Sequence, residues 1–182
     1  MLKALVGFIG GLVFTGVMMF LFMGSLMFNE FESPYSVEET AARIQQNIQG
    51  MSDKGWALSG LRNPAAAVAA TGGNTLPVLL VEACSTAYSG PILKDDKTRI
   101  LSILMPCSIT VYKKDNGKTY IGMMNAGLMG QMFGSTVAEV MGHVADDQKK
   151  FIEFDPKKPA PPLIKGMPGG GGGGDGKEAS GC

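Results

Sequence analysis

The sequence is poor in the residue types that enzymes use most. In 182 residues it has three cysteines, one histidine and one tryptophan. Cys84, Cys107 and Cys182 are too few for a disulfide scaffold and lack the spacing of a zinc site. Acidic and basic residues balance at 16 each, and no basic stripe marks a nucleic-acid surface. Nucleophile elbow, phosphate loop and HExxH helix are all missing, and Gly122 and Gly127 do not make a phosphate cradle. These absences leave no reaction in view.

What is present divides the chain into residues 1–29, 30–154 and 155–182. Ala4 to Phe28 carries no charge. As a helix it would span roughly 37 Å, more than the ~30 Å of a bilayer core, and its apolar run exceeds the roughly 7–15 residues of a cleaved leader. It predicts a transmembrane anchor touching lipid over residues 4–28. Lys3 precedes it, while Glu30 and Glu32 follow. That asymmetry predicts a single-pass protein of the bacterial inner membrane, amino terminus in the cytoplasm and domain in the periplasm. At the other end come Pro156, Pro159, Pro161 and Pro162, then glycine from Gly169 to Gly174. This composition predicts a disordered tail, with Cys182 exposed at its end as a reactive thiol.

The middle segment is patterned for a fold. Ser36 and Glu39 have capping-box spacing, and Val37, Ala41, Ile44, Ile48 and Met51 then recur as one helical stripe. Gly55 is the expected stop, and Trp56 to Leu61 reads as a short strand that brings its Trp into the core. Asn63 to Asn74 reads as a loop, Leu76 to Cys84 as a long apolar strand, and Ser85 to Thr98 as a polar connector. Ile100 to Tyr112 is rich in β-branched residues and reads as the central strand, bent at Pro106. Asn116-Gly117 then turns the chain into a partner strand, Thr119 to Asn125. Leu128 to Lys150 reads as a closing helix with Met129, Phe133, Val137, Val140 and Val144 buried and Met132 and Met141 alongside. A further strand is expected near Phe31 to Tyr35. The sum is an α+β domain: a four- to five-stranded antiparallel sheet with two helices packed on one face.

Trp56 after Gly55, Val81-Glu82-Ala83-Cys84, Met105-Pro106-Cys107-Ser108-Ile109-Thr110-Val111-Tyr112 and the Asn116-Gly117 turn together resemble the domain-of-unknown-function 302 family. The resemblance covers about Ser36 to Lys150. It implies β-α-β(4)-α order, a TATA-binding-protein-like fold and frequent dimers, so a homodimer is expected here. No agreed activity comes with it. Where many members carry Asn-Pro after the first cysteine, this chain has Ser85-Thr86.

The candidate site residues are few. Cys84 and Cys107 sit on strands that are plausible neighbours, and inert buried thiols, a structural disulfide and a redox pair all stay open. Glu82 inside an apolar run is either a strand-end carboxylate or a pocket acid. Met123, Met124 and His143 are weak candidates for a soft metal, with Met129 and Met132 nearby. The expected role is a non-enzymatic ligand-binding or interaction module. The alternative is a thiol-based redox or soft-metal-handling protein using Cys84 and Cys107. No cofactor is indicated.

Overall fold

A computed structural model describes residues 2–165; within it, the side chains of residues 2–6, 19–21 and 23 are not described. The elements run α1 (Leu2–Met27), β1 (Phe28–Ser33), α2 (Val37–Gln49), β2 (Trp56–Arg62), α3 (Pro64–Ala70), β3 (Val78–Ser85), α4 (Thr86–Lys94), β4 (Cys107–Lys113), β5 (Thr119–Met124), α5 (Ala126–Gln131) and α6 (Ser135–Phe151). Short 3-10 turns lie at Ser52–Lys54 and Arg99–Leu104. The five strands form one antiparallel sheet in the order β1-β5-β4-β3-β2. Its first strand thus pairs with its last, and β4 lies in the middle as expected.

Local signals explain much of this. Ser36 Oγ accepts the Glu39 N–H at 3.1 Å and starts α2. The Glu39 carboxylate does not reach back, because Arg43 takes it at 2.8 Å. The Asn116-Gly117 turn has Gly117 at φ +79° and Lys114 paired with Lys118 across it. Along β3 the alternation sends Leu79, Val81 and Ala83 into the core beneath α2, where Ile44 and Ile48 are fully buried. Trp56 fills the core as expected, edge-on to Phe151 at 4.9 Å.

Four expectations change. The segment before Pro106 is not strand: Arg99–Leu104 winds into a 3-10 turn, and β4 begins only at Cys107. Ile100 and Ile103 are 75% and 83% exposed, so their apolar character never met a sheet neighbour. The two stretches read as loop and connector hold helices α3 and α4, the second with Pro91 inside it. The closing helix is two helices, broken where Gly134 takes φ +93°; Met132 and Phe133, expected on or beside its buried stripe, are exposed at the break. Lastly, α2 ends at Gln49, and Gly55, at φ +74°, closes the following 3-10 turn instead.

The chain does not leave the domain at Asp155. Residues 155–165 cross the outer side of α2 and are hydrogen-bonded to Arg43 and Gln45. Residues 166–182, Cys182 included, lie outside the described residues.

The membrane placement is overturned. Among the described residues, no helix is long and apolar enough to cross a membrane. The single-pass anchor and the periplasmic domain, with the amino terminus in the cytoplasm, therefore have no structural support.

Candidate functional site

The end of the sheet where β3 stops and β4 starts is closed by helices. The turn from β3 into α4 brings Cys84, Ser85 and Tyr88, and Met105 and Cys107 come from the start of the neighbouring β4. The lower wall is the inner stripe of α6, Val137, Val140, Met141 and Val144, and Met124, Met129 and Phe133 complete the enclosure. The space within is about 40 Å³. A water needs roughly 10–15 Å³ on this measure, so the cavity has room for a small group and few polar atoms to hold water there. Four of its lining side chains are methionine, the apolar residue that repacks most easily.

Next to the cavity lies a buried carboxylate that the sequence did not single out. Asp147 is 1% exposed. Its Oδ1 accepts from Lys54 Nζ at 2.6 Å; its Oδ2 accepts from Trp56 Nε1 at 3.0 Å and Tyr88 Oη at 2.9 Å. Burial opposes ionisation, yet the three donors outweigh it and hold the carboxyl below the ordinary aspartate range. One carboxylate thereby fixes two aromatic rings of the cavity wall. Tyr88 also stacks on His143, with planes 8° apart and centroids 6.1 Å apart. The signal available was positional. Asp147 follows Val137, Val140 and Val144 in helical register, so a charge stood on an otherwise apolar stripe.

The expected site residues separate into groups. Cys84 and Cys107 do line the same cavity, but Ala83 is the residue paired opposite Cys107. Cys84 is disulfide-bonded; Cys107 is a free thiol and is not its partner. Burial pushes the Cys107 thiol up to about 11, so it is protonated and a poor nucleophile at neutral pH. Glu82 is buried elsewhere. Its Oε1 takes Arg62 Nε at 2.8 Å, and Oε2 lies over Gly60, where an added Cβ would be 2.5 Å away. The β2 register shift at Gly60 makes that room. Strand alternation sends Met123 and Met124 to opposite faces of β5, so their sulfurs do not converge, and His143 is taken up by Tyr88. Among the described residues, no group of three or more His, Cys, Asp or Glu side chains is placed to hold a metal ion.

Sheet order and flanking helices define an α+β domain with an apolar cavity at one sheet end. The chain belongs to the DUF302 family, a domain of unknown function, whose model matches residues 29–154. The chain is similar in fold to a solved structure described as the uncharacterized conserved protein DUF302 from Bacillus stearothermophilus. That similarity has a TM-score of 0.60 at 16% identity and covers 69% of this chain and 95% of the other. No curated protein matches.

Proposed function

We propose that the domain is a non-enzymatic binding module whose ligand is a small apolar group seated in the cavity between the sheet end, α4, α5 and α6. The observation that carries this reading is an enclosed space of about 40 Å³ lined by apolar side chains, four of them methionine. An apolar cavity of this kind stays dry and gains dispersion contacts when filled. A ligand larger than a few atoms needs the walls to move. The wall best able to yield is the α5–α6 junction, where Phe133 is 42% exposed and Gly134 bends the chain.

The alternative redox or soft-metal role has less support. It needs a thiolate and a converging partner, and Cys107 is a buried, protonated thiol without Cys84 as its disulfide partner.

Xenon or benzene is the probe for the cavity. Binding should raise the melting temperature and shift the methyl resonances of Met124, Met129 and Met141. Val140→Phe fills the space and should remove both effects while the fold persists. An unchanged wild type, or an equal response from Val140→Phe, would reject the reading.

A further inference from the structure

Beside the enclosed cavity, an open groove runs over the sheet face turned away from α2 and α6. Strand alternation puts Leu80, Thr110, Tyr112, Gly122 and Glu30 on that face, because Val81, Ile109, Val111 and Ile121 fill the core on the other. The register makes them neighbours: Thr110 pairs with Leu80 on one side and Gly122 on the other, and Gly122 pairs with Glu30. The groove holds about 560 Å³ and its lining is mainly apolar. Gly122 keeps the floor low, since a Cβ there would lie 2.7 Å from Thr110 Cγ2. Ile103, which left the sheet with the 3-10 turn, and Phe28, 65% exposed, also line it.

Groove and cavity meet. Leu104, Cys107 and Met124 line both. All three lie at the sheet end where β4 starts and β5 stops, and all three are half-buried. Leu104 and Met124 are flexible side chains, so this partition can open by a change of rotamer with the main chain in place. The cavity alone admits a few atoms, whereas the groove has the size of a ligand site, roughly 300–1,000 Å³. From Tyr112 to Cys107, β4 runs about 17 Å at roughly 3.4 Å per residue. A site of that length, closed by an apolar end, suits an unbranched chain. Its far end is polar. Glu30 accepts from Lys114 Nζ at 2.6 Å and from Tyr112 Oη. These donors hold its carboxyl below the ordinary glutamate range, so it is ionised at neutral pH. A carboxylate has about four acceptor sites; Glu30 can take a further donor, while an anionic head would meet its charge.

We propose that groove and cavity form one site for a single-chain amphiphile with an ammonium or hydroxyl head: the head at Glu30, the chain over Gly122 and Thr110, and the chain end past Met124 in the cavity. This rests on the cavity reading above and names its ligand class. The apolar group that the cavity holds is then the tip of a longer molecule. Phe28 and Ile103 gain from the chain the apolar cover that no sheet neighbour gives them. Each buried methylene is worth roughly fourfold in affinity, so binding rises with chain length until the tip meets the back of the cavity.

The test uses the full chain and dodecylammonium brominated at its terminal carbon, kept below its micellar concentration. Bromine quenches tryptophan fluorescence on contact, and Trp56, the one tryptophan of the chain, lines the cavity. The probe should quench Trp56 saturably. Ser108→Phe, at an exposed position in the groove lining, should weaken that binding roughly tenfold and leave the xenon response of the cavity as in wild type. Val140→Phe should remove the quenching. The same chain with a carboxylate head should bind roughly fivefold more weakly, and Glu30→Gln should erase that preference. Xenon binding without quenching by the probe overturns this proposal and leaves the cavity reading standing; loss of both removes the cavity reading as well. Quenching indifferent to Ser108→Phe, or equal binding of the two heads, also overturns it.

Discussion

On one side of α2, Ile44 and Ile48 are wholly buried against the sheet; on the other, Arg43 and Gln45 are 5% and 1% exposed beneath a strap of main chain. The burial is equal, but its means are not. The first side is held by apolar area and close packing, which no solvent can replace. The second is held by hydrogen bonds that water can replace at small net cost. The same helix is therefore held to the sheet by apolar packing and to the strap by hydrogen bonds. Asp147 stands between these cases. It is as buried as Gln45, but it is charged, and its three shortest hydrogen bonds come from three other segments.

Three substitutions sharpen that contrast. Ile44→Ala leaves a cavity under α2 and should cost about 2–5 kcal/mol, read as a shift in the denaturant midpoint with unchanged slope. A cost below about 1 kcal/mol would mean that the sheet side of α2 is not the rigid one. Asp147→Asn should come second, at about 1.5–3 kcal/mol, because the Trp56 and Tyr88 donors lose a charged acceptor inside the protein. The pH dependence carries a sign. Asp147 has a depressed folded pKa, so its contribution is full above the unfolded value of about 3.9 and is lost as pH falls through the folded one. The gap between wild type and Asp147→Asn should close below about pH 4; a gap constant with pH would show that the charge does not matter.

Arg43→Lys is the smallest of the three. Lysine cannot reach both strap carbonyls and the Glu39 carboxylate with one planar fork. The expected cost is about 1 kcal/mol or less. The sharper readout is local. Amide exchange at Ile164 should accelerate while exchange in β3 and β4 stays as it was. Equal acceleration in strap and sheet would erase the distinction between the two sides of α2.

Several parts of this architecture could be read along the chain, because their causes act over a few residues. The Ser36 cap, the Asn116-Gly117 turn, the α2 stripe and the alternation in β3 all follow from periods and contacts shorter than one element. The segment from Ile100 to Leu104 misleads for the same reason. Its composition suits a strand, but a strand also needs a partner, and β3 pairs only as far as Cys107. Cys84 and Cys107 could be nominated from the sequence as a pair at one end of the sheet, and they do line one cavity. Their chemistry could not be read, since a thiol's acidity depends on what surrounds it.

The composition and periodicity of this chain determined an α+β domain with an antiparallel sheet of four to five strands, because burying its apolar faces requires only that they meet one another. Tertiary structure alone decided which carboxylate matters. Lys54, Trp56, Tyr88 and Asp147 belong to four segments, and the distances among them in sequence run to 93 residues. It alone also decided where the proline-rich segment goes. Nothing local distinguishes residues 155–165 from a free tail; Gln45 and Arg43, over 100 residues earlier, supply the hydrogen bonds that hold it. Such bonds form only once the fold has brought both partners together, and that is why they leave no period or motif in the sequence.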